Sequence, residues 1–290
     1  MAKKTKNVMF RTQKQSEDRD FKKFSVIFAS CVLLILIVSC LAILNKYDFD
    51  IRTAMGGEPE TTTEVITQED TAVHTQADKT YFLWSADEKN ELHFAWLVNF
   101  KVPEMAVSVC TLPLDTILSG GTETLASSFR KYGEKATVAN LEEFLGFSVD
   151  GYIGSDDESF KAMINYFGGM NITVPEQIEY RGGEYTVILV KGKQNLMADT
   201  LFKYMKYLGT LGPRGRNHQA TALLEMLDGI FREKNIAKSE RYFSKLSNTL
   251  KTNLSIVDYL SAEEAIKAFM QSGIKEKNIV QSPKDIRGEE

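Results

Sequence analysis

An unbroken apolar run near the N-terminus constrains this chain most. It covers residues 24–44, FSVIFASCVLLILIVSCLAIL, and contains no charged residue. A transmembrane helix needs about 20 apolar residues. A cleaved signal peptide has a shorter apolar region, about 7–15 residues, followed by a small-residue cleavage site. Because NKYDFD follows here, the run favours an uncleaved membrane anchor over a signal peptide.

The charges on either side of the run predict its orientation. Residues 1–23 contain eight Lys or Arg, whereas residues 45–79 contain three, together with eight Asp or Glu. Basic flanks stay in the cytoplasm. We therefore expect a single-pass protein of the cell membrane with a cytoplasmic basic tail at 1–23, which can also contact anionic lipids. The rest of the chain is expected outside the cell.

Composition limits the remaining possibilities. The net charge of −4 argues against nucleic-acid binding. The three cysteines, Cys31, Cys40 and Cys110, indicate neither a disulfide framework nor a metal site. Residues 45–79 are rich in Thr, Glu and Gln and have too few apolar side chains to offset the entropy of ordering, so they are predicted to be an extracytoplasmic linker.

From residue 80 to 283 the pattern predicts one α/β or α+β domain, with residues 284–290 as a tail. Aromatic and β-branched runs typical of strands alternate with amphipathic helices, which favours a mixed central sheet flanked by helices on both sides. Two helices are predicted at TLASSFRKYG and ATVANLEEFLG. A hairpin is predicted around Arg181–Glu184, and a loop before the helix that ends at Gly209.

The stretch GPRGRNHQ, residues 212–219, is predicted to be a basic turn before a helix. A helix N-terminus offers unpaired N–H groups and partial positive charge. Arg214 and Arg216 would add guanidinium groups suited to phosphate, and Gly212 and Gly215 would allow close backbone approach. The alternative is a solvated basic turn without a ligand.

Two acidic residues follow predicted strands. Asp87 lies in SADEK and Asp115 in TLPLDT. Acids at strand ends can meet at one edge of a sheet and hold a divalent cation against phosphates. Alternatively, each caps a turn. His93, within a predicted strand, is expected to be packed or at the surface rather than to act as a base.

Several stretches resemble the LytR-CpsA-Psr (LCP) family of bacterial cell-envelope proteins, over residues 80–283. The best-matching ones are ESFKAMINYFGGMNITVPE, VKGKQNLMADTLFKYMKY, GRNHQATALLEMLDGIF and TNLSIVDYLS. The resemblance implies transfer of a glycopolymer from a polyprenyl-pyrophosphate carrier to the wall, usually to peptidoglycan. It also implies an apolar tunnel for the prenyl chain, arginines on the pyrophosphate, and acids, here Asp87 and Asp115, on Mg²⁺.

The chain departs from the family's charged motifs. In the family's Gly-x-Asp-x-Arg motif, this chain keeps the Asp as Asp87 and has Lys89 in place of the Arg. In the family's Arg-x-Asp-Thr motif, Glu91 stands in place of the Arg and His93 in place of the Asp. The other changed positions are Leu114 in Pro-Arg-Asp, Gln219 in place of the second Arg of Gly-Arg-x-x-Arg-Gln, and Lys206 where an Arg is expected. A charge-assisted hydrogen bond contributes about 1.5–3 kcal/mol, so these losses predict weakened catalysis.

Three hypotheses follow. The first is an LCP-like pseudoenzyme that binds a prenyl-linked or wall-related ligand, or regulates a competent relative. The second is a working phosphotransferase in which lysines rebuild the anion site, and the third is a protein-interaction scaffold. The candidate catalytic residues are Asp87, Asp115 and Arg216, and the candidate pyrophosphate ligands are Lys89, Lys206, Arg214 and Arg216. The sequence defines neither the polymer nor the oligomeric state.

Overall fold

The computed structural model describes residues 78–118 and 121–288. The predicted cytoplasmic tail 1–23, the apolar run 24–44 and almost all of the predicted linker 45–79 lie outside these residues. Among the described residues, no helix combines the length and apolar character needed to cross a membrane.

A six-stranded mixed sheet forms the centre of the described domain. Its strands lie in the order β10-β3-β2-β1-β4-β9. Strand β1 pairs parallel with β4, β3 pairs parallel with β10, and the other neighbours are antiparallel. The prediction of a mixed sheet is therefore confirmed. The bounds are β1 Lys79–Ala86, β2 Leu92–Lys101, β3 Ala106–Thr111, β4 Gly151–Ser155, β9 Lys251–Thr252 and β10 Glu276–Ile279.

Two separate strand pairs lie outside this sheet. Strand β5 (Met170–Val174) pairs antiparallel with β8 (Gly192–Leu196). The residues of β8 were predicted to be a loop, and this was wrong because lysine, glutamine and asparagine gave no strand signal. Strand β6 (Ile178–Arg181) pairs antiparallel with β7 (Thr186–Leu189), which confirms the predicted hairpin.

Within the described part of the chain, six α-helices accompany the strands. Side chains of Thr124, Asp156 and Ser255 cap three of them by accepting a backbone N–H of the first turn, as N-cap residues do. The helix bounds are α1 Leu125–Leu145, α2 Asp157–Tyr166, α3 Ala198–Gly209, α4 Gly212–Ile230, α5 Ser239–Thr249 and α6 Ile256–Ser272.

Two helices differ from their predictions. The two helices predicted between residues 124 and 146 form α1, which is interrupted at Gly133, where the backbone takes φ 74° and ψ −173°. The predicted turn GPRGRNHQ is instead the first two turns of α4, which begins at Gly212. Pro213 fits there because a first-turn residue needs no N–H for the helix.

The central sheet is buried on both faces. On β2, Phe94, Trp96 and Val98 belong to one core, which also contains side chains of α2, α3, α4 and α6. Ala95 and Leu97 belong to the other core, which contains side chains of α1. This alternation follows from the two-residue repeat of a strand, and it confirms that helices cover both sides.

Gly154 on β4 is expected to limit the packing of the sheet. It stands opposite Trp84 of β1, and a Cβ atom there would lie 2.2 Å from carbons of the Trp84 ring. We expect Gly154→Ala to lower stability by about 1–3 kcal/mol, as overpacked cores do. Thermal unfolding of the purified full-length protein by near-UV circular dichroism measures this.

Gly183→Ala is the matched control for that prediction, because a Cβ at Gly183 would meet no atom within 4 Å. Equal melting temperatures for the two variants would show that Trp84 moves aside without cost.

Candidate functional site

A polar pocket of about 650 Å³ lies at one edge of the domain. Five segments form it: the start of β2, the loop after β3, the β6–β7 hairpin, the end of α3 and the first turns of α4. Its lining residues with acidic or basic side chains are His93, Asp115, Glu184, Lys206 and Arg216. The structure thus brings together three of the predicted site residues, Asp115, Lys206 and Arg216, from distant parts of the chain.

The first turns of α4 are tightly fixed, and this positions Arg216. Gly215 is buried, and a Cβ atom on it would lie 1.8 Å from the carbonyl oxygen of Leu208, so only glycine lets α4 approach α3 this closely. The hydroxyl of Thr111, at the end of β3, donates to the carbonyl oxygen of Arg216 at 3.0 Å. Arg216 is consequently held at the junction of β3, α3 and α4.

Lys206 contributes the second positive charge to the pocket. Its ammonium nitrogen lies 5.4 Å from the centroid of the Tyr185 ring and 5.7 Å from that of Phe202. Both distances are within the range of cation–π attraction. The ammonium group therefore lies among aromatic rings, and among the described residues no carboxylate forms a salt bridge with it.

The other two predicted anion ligands are not on the pocket wall. Arg214 forms a salt bridge with Glu176, and its side chain is 61% exposed. Lys89 is exposed in the turn before β2. Of the four predicted ligands, Lys206 and Arg216 therefore line the pocket. The roles of all four stay predictions.

The two predicted acids have different surroundings. One carboxylate oxygen of Asp87 accepts the backbone N–H groups of Lys89 and Glu91, each at 2.8 Å. Slight burial raises the pKa of Asp87, but these hydrogen bonds, first that of Glu91, outweigh it and hold the pKa below its usual value. Asp87 therefore caps its own turn, whereas Asp115 is exposed and lines the pocket.

These acids do not form a metal site of their own. Within residues 78–118 and 121–288, no three His, Cys, Asp or Glu side chains come together as metal ligands. Magnesium prefers octahedral oxygen coordination and usually takes one or two carboxylates, with water and substrate phosphates completing the shell. The donor set of the domain alone therefore does not fit a closed Mg²⁺ site.

His93 lies on the pocket wall, a position that sequence reasoning did not give it. Its Nε2 atom is 2.9 Å from a carboxylate oxygen of Asp157, in the first turn of α2. Burial, followed by the ammonium group of Lys206, lowers the pKa of His93, and Asp157 offsets only part of this. The imidazole is therefore neutral at pH 7. Since an ionised carboxylate only accepts hydrogen bonds, Nε2 carries the proton and Nδ1 a lone pair.

Two positions where the family pattern has arginine are uncharged here. Gln219 is 2% exposed, and its amide nitrogen donates to the carbonyl oxygen of Met205 at 2.9 Å. Leu114 lines the pocket and packs against the core that contains α1. At these two positions the pocket is therefore lined by uncharged side chains, and it has fewer positive groups than the family pattern implies.

A second, apolar cavity of about 190 Å³ lies between the sheet and helices α2, α4 and α5. Its walls include Trp96, Phe160, Met226 and Phe243. Phe94 lines the polar pocket and Phe160 lines the cavity, and their ring centroids are 5.6 Å apart. The rings of Phe94 and Phe160 therefore pack against each other between the two spaces.

Comparison with solved structures defines the class of the fold. A putative transcription regulator from Eubacterium siraeum superposes with a TM-score of 0.62 at 19% identity, covering 77% of this chain and 92% of that one. TagV from Bacillus subtilis superposes with a TM-score of 0.59 at 20% identity, covering 71% and 85%. At these identities the likeness establishes the fold alone.

Sequence comparison identifies the family. The profile of the LytR_cpsA_psr family matches residues 97–289, more than half of the chain, and the chain belongs to this family. The polyisoprenyl-teichoic acid–peptidoglycan teichoic acid transferase TagV of Bacillus subtilis is 25% identical over 188 residues, 61% of this chain and 48% of TagV. TagU of Bacillus licheniformis is 27% identical over 167 residues, 54% and 52%. The chain spans about half the length of these relatives.

The electrostatic environment of His93 gives a direct prediction. In Lys206→Met, we expect the pKa of His93 to rise, because a neighbouring positive charge no longer opposes protonation. Asp157→Asn should lower it further, since an attraction for the protonated ring is lost. NMR titration of histidine-labelled full-length protein measures both shifts, with His93→Asn assigning the resonance.

Lys203→Met is the control on the same helix, because Lys203 pairs with Asp199. If the pKa of His93 is the same in Lys206→Met as in Lys203→Met, Lys206 does not influence the imidazole.

Proposed function

We propose that this LytR-CpsA-Psr protein binds the pyrophosphate head of a prenyl-linked cell-envelope glycopolymer. We also propose that it transfers the glycopolymer much more slowly than its relatives do. We further propose that residues 24–44 anchor it in the cell membrane with residues 1–23 in the cytoplasm and the domain outside. Among its relatives, TagV and TagU carry the name of teichoic acid transferases. The observation that carries the proposal is a pocket with two cations, Lys206 and Arg216.

The number of cations determines the expected activity. A departing prenyl phosphate gains negative charge, and charged donors aimed at that charge lower the barrier. Each charge-assisted hydrogen bond contributes about 1.5–3 kcal/mol, and about 1.4 kcal/mol is a factor of ten in rate. Two cations support binding of a diphosphate. Leu114 and Gln219 supply none of the further stabilisation that the family's arginines imply.

The apolar cavity supports a limited contact with the lipid. At about 190 Å³ it is comparable to an engineered cavity of about 150 Å³ that binds benzene. It can thus hold a short piece of an apolar chain. A prenyl chain that occupies both spaces requires the rings of Phe94 and Phe160 to separate.

Magnesium enters the proposal only as an ion carried by the ligand. Asp115 is the acidic residue that would share it with pyrophosphate oxygens, in the manner usual for this ion. Anion binding by Arg216 and Lys206 does not depend on it.

Retained phosphotransfer is the second candidate, and the His93–Asp157 pair favours it. In such a step the acceptor hydroxyl oxygen attacks phosphorus, its proton passes to Nδ1 of His93, and the bond from phosphorus to the bridging oxygen breaks. Prenyl phosphate then leaves with that oxygen. A neutral imidazole held by a carboxylate is suited to accept this proton. The open pocket supports both candidates over a scaffold that binds only proteins.

Anion binding is tested by comparing two arginines on the same helix. We expect Arg216→Gln to weaken binding of inorganic pyrophosphate by about 10–100-fold, the loss of one charge-assisted hydrogen bond. Arg214→Gln should bind like the wild type, because Arg214 pairs with Glu176 away from the pocket. Isothermal titration calorimetry on the full-length protein in detergent measures both. Equal pyrophosphate affinities for the two variants would show that Arg216 does not bind the anion.

Turnover distinguishes the two candidates. We expect the full-length protein to release prenyl phosphate from a prenyl-pyrophosphate glycan at least about 100-fold more slowly than Bacillus subtilis TagV, since one lost donor costs about 100–1000-fold. Leu114→Arg should speed release, because it restores a guanidinium on the pocket wall, and Leu114→Met should not. A wild-type rate equal to that of TagV, abolished in His93→Asn, would establish the second candidate instead.

A further inference from the structure

One wall of the polar pocket is built from tyrosines of the β6–β7 hairpin. Tyr180, Gly183, Glu184 and Tyr185 all line the pocket. The centroid of the Tyr180 ring lies 5.4 Å from that of Tyr185 and 5.1 Å from that of Tyr207 on α3, with interplanar angles of 43° and 45°. Tyr207 thus supports Tyr180 from behind, and the rings are in place before any ligand arrives.

The turn of the hairpin is shaped to fit this wall. The backbone N–H of Gly182 donates to the carbonyl oxygen of Tyr185 at 3.0 Å and closes the turn. A Cβ atom at Gly182 would lie 2.4 Å from the hydroxyl oxygen of Tyr180 and 2.7 Å from a ring carbon. A larger residue would therefore displace Tyr180, so the sequence RGGEY supports the aromatic wall as well as the turn.

Polar groups accompany the rings. Burial, with a smaller contribution from Tyr180, raises the pKa of Tyr185 to about 12. Its hydroxyl therefore stays protonated and can donate or accept hydrogen bonds. The carboxylate of Glu184 adds an acceptor for hydroxyl groups. An apolar ring face beside hydroxyl and carboxylate groups matches a sugar ring, whose C–H groups meet the negative face of an aromatic ring and whose hydroxyls donate to a carboxylate.

The location of these groups fixes which part of a ligand they meet. The Lys206 ammonium nitrogen lies 5.4 Å from the centroid of the Tyr185 ring. A group attached directly to a phosphate on Lys206 therefore lies next to the tyrosines. We propose that Tyr180, Tyr185 and Glu184 form a subsite for the pyranose ring joined to the pyrophosphate. This subsite rests on the proposed anion binding by Arg216 and Lys206.

Two soluble diphosphate monoesters test the subsite on the full-length protein in detergent. They are methyl diphosphate and N-acetylglucosamine 1-diphosphate, which share the anion and differ in the attached group. We expect the sugar ester to bind the wild type about 5–10-fold more tightly, as expected for one or two aromatic stacking contacts. Tyr180→Leu should abolish this ratio while leaving the methyl ester's affinity unchanged, because the Tyr180 ring packs on Tyr185 and Tyr207.

Two further variants separate stacking from other effects. Tyr185→Phe should keep most of the ratio because it keeps the ring face, and Tyr132→Leu should keep all of it, because Tyr132 is an exposed tyrosine of α1 outside the pocket lining. Thermal melting checks that every variant is folded. A wild-type ratio of one, or an equal loss of both esters in Tyr180→Leu, overturns the sugar subsite.

The anion proposal has its own outcome in this experiment. If methyl diphosphate binds the wild type and this binding is lost in Arg216→Gln, the anion site is supported, whatever the ratio of the two esters' affinities. If neither ester binds the wild type, both the anion site and the sugar subsite are overturned.

Discussion

The antiparallel pairing of β1 with β2 is the interaction on which the rest of the structure depends. The pair lies in the middle of the central sheet, between β3 and β4, and both of its faces are buried. The buried amide of Asn99 donates to the hydroxyl of Thr80 across it at 2.9 Å. A slip of one residue would exchange the two faces and turn His93 away from the pocket. The packing of the core therefore also fixes the position of the site.

The fold and the chemistry of the pocket are supported by different residues. Gly215, Thr111 and Leu208 bring α3, α4 and β3 together through contacts with backbone atoms that need no charged side chain. The charged groups project from this frame, so an arginine can be replaced without moving the walls. This explains how a chain of the LytR-CpsA-Psr family retains a pocket of about 650 Å³ while Leu114 and Gln219 stand on or beside it.

The mixed sheet, the hairpin at Arg181–Glu184 and the break of α1 at Gly133 were predictable from local sequence signals, since residue periodicity and glycine act over short distances. The same signals singled out Arg216 and Asp115 as candidate site residues, and both line the pocket. The pairing of His93 with Asp157 joins residues 64 apart, and that of Arg214 with Glu176 joins residues 38 apart. Such contacts depend on the tertiary fold and leave no periodic pattern. The start of α4 at Gly212 was missed because its glycines and proline were taken for a turn.

Gln219 has a consequence for how this lineage can change. Its side chain is enclosed and already bonded to the carbonyl oxygen of Met205. An arginine introduced there alone would bury an unpaired charge and leave that carbonyl without its donor, and both effects are costly. An arginine at position 219 therefore requires compensating changes in the neighbouring side chains. Local packing thus makes this uncharged side chain difficult to exchange for a charged one.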